Sequence, residues 1–196
     1  MNSQLYRQHF SKFSDNVYRR WRIQNEKAGK DIVGEEYESF RAAIWTGLGA
    51  FVETDKKEKR IGSYDPDLAI RRTSDSEIFL LEEDKGHYVD SCFLKRAMQN
   101  FSDVIMECLE QGTEPPYFLL SCPTRMNNFQ EVFEKSLLPF KDEVQHYFNE
   151  KFLYSPLCDH GRIARARYYA SDQSCYELNE SNIAKEISLL KGLLND

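Results

Sequence analysis

The sequence predicts an α/β fold: a mixed central sheet flanked by helices, in one domain with helical elaborations at its N- and C-terminal ends. Three observations carry this. Ile78-Phe79-Leu80-Leu81 is apolar on both faces, as a strand covered on both sides must be. The segment "SCFLKRAMQNFSDVIMECLEQG" aligns Phe93, Ala97, Phe101, Val104, Ile105 and Leu109 at helical spacing, with Gly112 beyond its end. The apolar run "PPYFLLSCP" follows, so a crossover helix joins two neighbouring strands. Finally, 196 residues that are 41% hydrophobic and 13% aromatic suffice to bury one full core.

Each element has its own justification. Tyr6, Phe10, Phe13, Val17 and Trp21 recur at helical spacing, so residues 1–31 begin with an amphipathic helix, and "KAGKD" reads as a loop. "VGEEYESFRAAIWTGLG" is a second helix, with acids in its first turn, Tyr37, Phe40, Ile44 and Leu48 on one stripe, and Gly47 and Gly49 to end it. "AFVE" is a short strand and "TDKKEKRIGSY" a charged connection with a turn. "DPDLAIRR" is the next strand, "TSDS" its turn, and "EIFLLEEDK" the central strand. The core thus spans about residues 34–122. Residues 124–196 read as mostly helical, broken at Pro139 and closed by a helix aligning Ile183, Ile187, Leu190 and Leu194.

Charge is uneven. The net charge of −6 argues against a protein that coats nucleic acid by bulk electrostatics. Yet residues 1–31 hold seven Lys/Arg against three acids, and residues 160–169 hold Arg162, Arg165 and Arg167 with no acid. Residues 75–90 hold six acids against Lys85 alone. Basic flanks around an acidic centre suit phosphates gripped at the edges and a divalent cation in the middle, or ordinary unevenness of a surface. Five widely spaced cysteines without a Cys-x-x-Cys pair suit reduced thiols; Cys158, His160 and Cys175 lack the spacing of four zinc ligands. A polar start and no apolar run of about 18–20 residues lead us to expect a soluble, cytoplasmic protein with no membrane partner.

The two-faced apolar strand runs directly into Glu82-Glu83-Asp84-Lys85. Side chains alternate across a strand, so Glu83 and Lys85 share one face and Glu82 and Asp84 the other. Asp65 and Asp67 likewise share a face of the preceding strand. If the two strands pair as a hairpin, one or both aspartates sit beside Glu83, with a lysine at the edge. Hard oxygen ligands of this kind suit Mg²⁺, and an adjacent lysine can orient or deprotonate an attacking water or neutralise charge at a phosphodiester.

Pro66-Asp67 followed by Glu83-Asp84-Lys85 at the tip of an apolar strand resembles the PD-(D/E)xK nuclease superfamily, whose core runs helix, three strands, helix, strand. The resemblance covers about residues 34–122. It implies a restriction-endonuclease-like core, with Asp67 as central metal ligand, Glu83 as the second and Lys85 as the catalytic lysine. The carbonyl of Asp84 is implied as a further contact to the metal, and a glutamate of the first core helix as another ligand. Glu36 is expected there, with Glu35 and Glu38 as rivals, and Asp65 stands as an alternative to Asp67. A short single-domain chain is most similar to type II restriction endonucleases, which implies a homodimer acting on double-stranded DNA at a palindromic site.

Base or phosphate contacts are expected from Arg125, Asn127 and Asn128, directly after the last core strand, and from Arg162, Arg165 and Arg167. Helix capping and surface polarity are the plainer readings of the first group. Lys95 and Arg96 either contact phosphate or are simply solvated. His87 is expected around the site or exposed, because Lys85 already fills the place of a base. The rival functions are a repair or recombination nuclease with little sequence preference, a non-catalytic DNA- or protein-binding protein, and a hydrolase of other phosphate esters.

Overall fold

The computed structural model describes residues 1–24, 29–53, 55, 57–86, 89–124, 126–158 and 180–195. Among them, six helices and five strands follow in the order α1 (Ser3–Gln24), α2 (Gly29–Leu48), β1 (Phe51–Glu53), β2 (Leu68–Arg71), β3 (Ile78–Asp84), α3 (Ser91–Gln111), β4 (Tyr117–Thr124), α4 (Phe129–Leu137), α5 (Asp142–Lys151), β5 (Phe152–Cys158) and α6 (Glu180–Asn195). The chain is α/β, as expected. The strands form one sheet in sequence order, antiparallel from β1 to β3 and parallel from β3 to β5. Short loops can join antiparallel neighbours, whereas each parallel step needs helices to carry the chain back. Here α3 makes the first return and α4 with α5 the second.

The sheet is covered on both faces. Leu68, Ile70, Leu80, Leu119 and Leu157 pack under α1, α2 and α6, and Ala69, Leu81, Phe118, Leu120 and Cys122 pack under α3, α4 and α5. This burial is why β3 is apolar along both sides. The expected stripes are buried at Tyr6, Phe10, Phe13 and Val17 on α1 and at Tyr37, Phe40 and Ile44 on α2. Trp21, the fifth residue of the first stripe, lies outside the described side chains. At the start of α3, Asp90 accepts a hydrogen bond from the Phe93 N–H at 2.8 Å; at its end Gly112 turns left-handed with φ 68°. Gly49, with φ 96°, ends α2 in the same way.

Two expectations are corrected and a third, the mostly helical region after Thr124, is extended. Helix α2 begins at Gly29, so Gly29, Lys30 and Asp31 of the expected loop are helical. Strand β2 begins at Leu68, leaving Asp65, Pro66 and Asp67 ahead of it. The region after Thr124 is not helical throughout: Phe152–Cys158 forms a fifth strand beside β4, with Pro156 opposite Cys122. A proline donates no hydrogen bond, and among the described residues β5 is an edge strand, where that loss is tolerated. No helix among the described residues is long and apolar enough to cross a membrane.

Candidate functional site

The site forms where β2 begins and β3 ends. Leu68 pairs with Glu82 across the antiparallel ladder, so the next step outward sets Asp67 opposite Glu83. The Asp84 backbone N–H donates to Asp67 Oδ2 at 2.6 Å, fixing the aspartate at the strand tip. Burial and the Glu83 charge push the Asp67 carboxyl up to about 7, against the pull of that N–H and of the Lys59 ammonium. Glu83 is also raised, first by burial; the Tyr64 hydroxyl, Arg96 and Lys85 favour its ionised form, and the Glu38 charge opposes it.

Glu38, half-buried on α2, is pushed up to about 7 by burial and then by the Asp67 charge. The helix therefore contributes Glu38 to this cluster and not the expected Glu36, whose Oε2 accepts from Asn16 of α1 at 2.9 Å. The two lie about 200° apart around a helix, so when Tyr37 and Phe40 face the core only one can face the strand tip. Asp65, the alternative to Asp67, is exposed and engaged elsewhere. It pairs with Lys59 and Arg60, each at 3.1 Å, and these partners hold its carboxyl below the usual range.

Asp84 projects to the opposite side of the sheet from Glu83. Its carboxyl is buried with no hydrogen-bond partner among the described residues on either oxygen, and burial, then the charges of Glu82 and Asp67, hold its pKa well above the usual carboxylate range. Once protonated, Asp84 can donate to Glu82; two ionised carboxylates cannot bond to each other. Glu82 itself accepts from Arg41 Nε and Trp45 Nε1, and Arg41 Nη1 donates to Glu186 Oε1 at 2.6 Å. Tyr37 and Ser121 share a hydrogen bond of 2.8 Å on the same face.

On the Glu83 face the neighbours are aromatic. A tight turn, with Gly62 at φ 57° and Tyr64 N–H donating to Ile61 O at 3.1 Å, folds Tyr64 back. Its ring stands 6.1 Å from that of Phe118, and its hydroxyl donates to Glu83 Oε2 at 2.5 Å. Lys85 Nζ lies 4.4 Å from the centre of the Phe93 ring, and Arg96 Cζ lies 4.9 Å from the same centre. Sequence reasoning overlooked Tyr64 and Phe93. Gly62 was the only local signal for the first, and the second read as one more apolar residue of the α3 stripe.

Asn127 and Asn128 are exposed beyond the end of β4, which runs parallel to β3, so they lie at the same end of the sheet as Glu83. Asn128 holds the N-cap position of α4 without a side-chain cap bond. The Met126 N–H ahead of them donates to the Tyr154 hydroxyl at 2.7 Å. Arg125, His87, His160, Arg162, Arg165, Arg167 and Cys175 lie outside the described residues.

Among the described residues no group of three or more His, Cys, Asp and Glu side chains is arranged to hold a metal ion. The carboxylates of Asp67 and Glu83 are hard oxygen donors at a partly buried strand tip, and burial with neighbouring negative charge raises both. Mg²⁺ is usually held by one or two carboxylates plus water and substrate phosphate, so Asp67 and Glu83 are the residues that could hold one. No family model matches the chain, and neither a curated protein nor a solved structure matches it significantly.

Proposed function

We propose that this chain is a Mg²⁺-dependent endonuclease that hydrolyses phosphodiester bonds of double-stranded DNA. At the finer level we read it as a type II restriction endonuclease of the PD-(D/E)xK pattern, acting in the cytoplasm as a homodimer on a short palindromic sequence. The observation that supports this most is Asp67 held at the tip of β3 by the Asp84 N–H, beside Glu83, with Lys85 just past the end of the same strand. The order α2, β1 to β3, α3, β4 adds support, because the resemblance implies helix, three strands, helix, strand.

Asp67 and Glu83 would hold the ion, with Glu38 alongside. When bound, the ion supplies Lewis acidity and positive charge to the phosphodiester. Lys85, which makes no ion pair among the described residues, brings its ammonium to the charge that gathers on the non-bridging oxygens and orients the attacking water. Tyr64 holds the Glu83 carboxylate in place through its hydroxyl.

The rival reading is a non-catalytic binding protein in which Glu82 to Lys85 are simply the end of a strand. Cleavage of unmethylated plasmid DNA decides between them. The expected result is discrete fragments with Mg²⁺, none with EDTA, and a loss of about 10²–10³-fold in Lys85→Ala, the range for removing one charge-stabilising donor. A smear would favour the repair or recombination nuclease. No cleavage by folded wild-type protein on several DNAs would overturn the enzyme reading in favour of the binding protein.

A further inference from the structure

Two cations stand against one aromatic ring at the edge of this site. Phe93 is 7% exposed, and its backbone is fixed by the Asp90 cap of α3. Lys85 Nζ and Arg96 Cζ approach the ring centre to 4.4 Å and 4.9 Å. Arg96 follows Phe93 by three residues, which stacks the two on one helix face. Neither cation forms an ion pair among the described residues, although the positive charge of each reaches Glu83.

Two like charges held on one ring lie within the Debye length of about 8–10 Å, so they repel each other. The negative face of the ring offsets part of this. What remains is a pair of donors on one ring that form no ion pair among the described residues, a place where an anion relieves the repulsion. A guanidinium presents a planar fork that matches two phosphate oxygens, and an ammonium presents a point charge.

We propose that Arg96 is a further substrate-binding residue that, with Lys85 on the shared Phe93 platform, grips the non-bridging oxygens of a phosphodiester. This rests on the nuclease reading for its substrate class. Arg96 is exposed, so its replacement leaves the core intact.

The test is fluorescence anisotropy of a labelled duplex DNA of mixed sequence over a series of NaCl concentrations, in EDTA, alongside plasmid cleavage in Mg²⁺. Arg96→Ala should weaken binding about tenfold and reduce the salt slope by about 1, as loss of one phosphate contact predicts. Arg96→Lys should keep the slope and recover only part of the affinity. Phe93→Leu should slow cleavage, and should it fail to fold, the Arg96 variants carry the test alone. Lys135→Ala, which removes an exposed cation paired with Glu131, should change neither quantity. If Arg96→Ala binds with the affinity and slope of wild type, the proposal is overturned, whether or not the wild type cuts. If the wild type binds without cutting and Arg96→Ala still lowers the slope, Arg96 stands as a phosphate contact and only the hydrolytic reading falls. If the wild type neither binds nor cuts, both fall.

Discussion

A carboxylate at the tip of a strand has several rotamers, and only a partner can choose one. The Tyr64 hydroxyl does this for Glu83 at 2.5 Å. Tyr64→Phe removes one oxygen and leaves the ring on Phe118, so the fold should persist while the grip on the metal slackens. Such partners are worth about 10–100-fold in metal affinity or activity. We expect the Mg²⁺ concentration for half-maximal cleavage to rise by about that factor, and Mg²⁺ titration calorimetry to show the same loss; an unchanged affinity would reduce Tyr64 to a packing residue. At this scale the two-residue period of a strand made one thing legible, that Glu83 and Glu82 face opposite sides of β3; Asp67 and Lys85 flank the strands, and their roles came from the resemblance. The sequence was not legible where a third element decides. Whether Glu36 or Glu38 reaches the cluster depends on which side of α2 is taken by α1, and Asn16 there captures Glu36. Asp65 and Asp67 share a face on paper, but Lys59 and Arg60 draw Asp65 away.

Between elements, the main tie behind the site is ionic. Arg41 of α2 is fully buried between Glu82 of β3 and Glu186 of α6, and one of its nitrogens, Nη2, has no hydrogen-bond partner among the described residues. Ser155 of β5 donates to Glu186, so three elements meet at one guanidinium and a fourth joins through Glu186. Burial comes first in raising Glu186, opposed by Arg41, as expected where two acids face one base. Arg41→Ala would leave two carboxylates buried without a counter-charge and should cost about 3–5 kcal/mol in urea unfolding. Replacing all three charges by apolar groups of similar volume (Arg41→Met, Glu82→Leu, Glu186→Leu) should cost less than Arg41→Ala alone, because no uncompensated charge stays behind. A larger loss in the triple variant would mean that the ionic tie itself contributes net stability. Period-two reasoning turned Glu82 away from Glu83, but a strand pattern cannot say that Arg41 and Trp45 wait on the far side. Strand β5 was missed for a related reason: "FLYSPLC" is a short apolar run containing a proline, and only its pairing with β4 distinguishes it from a helix fragment.

For the molecule as a whole, the carboxylate cluster links metal, pH and stability. An aspartate or glutamate in an unfolded chain titrates near 4, whereas Asp67 and Glu38 titrate at about 7 in the folded metal-free protein. Between those values the folded state binds more protons than the unfolded one, so raising the pH favours unfolding. Without metal, stability should fall as pH rises from about 4 to about 7 and level off above, where both states have released these protons. A divalent cation acts in the opposite sense. It needs the ionised carboxylates, so its stabilisation grows with pH through the same window. The check is thermal unfolding in EDTA and in Mg²⁺ across this range, where each kcal/mol moves the midpoint by about 2–4 °C for a chain of this size. The expected result is a midpoint in EDTA that declines toward neutral pH, and a Mg²⁺-induced rise that is small at pH 5 and largest above pH 7. Asp67→Asn should remove the share of the pH dependence that Asp67 itself carries and most of the Mg²⁺ response together, while burial keeps Glu38 raised. A Mg²⁺ response that survives this substitution would put the cation elsewhere on the molecule and separate the acidic strand tip from metal binding.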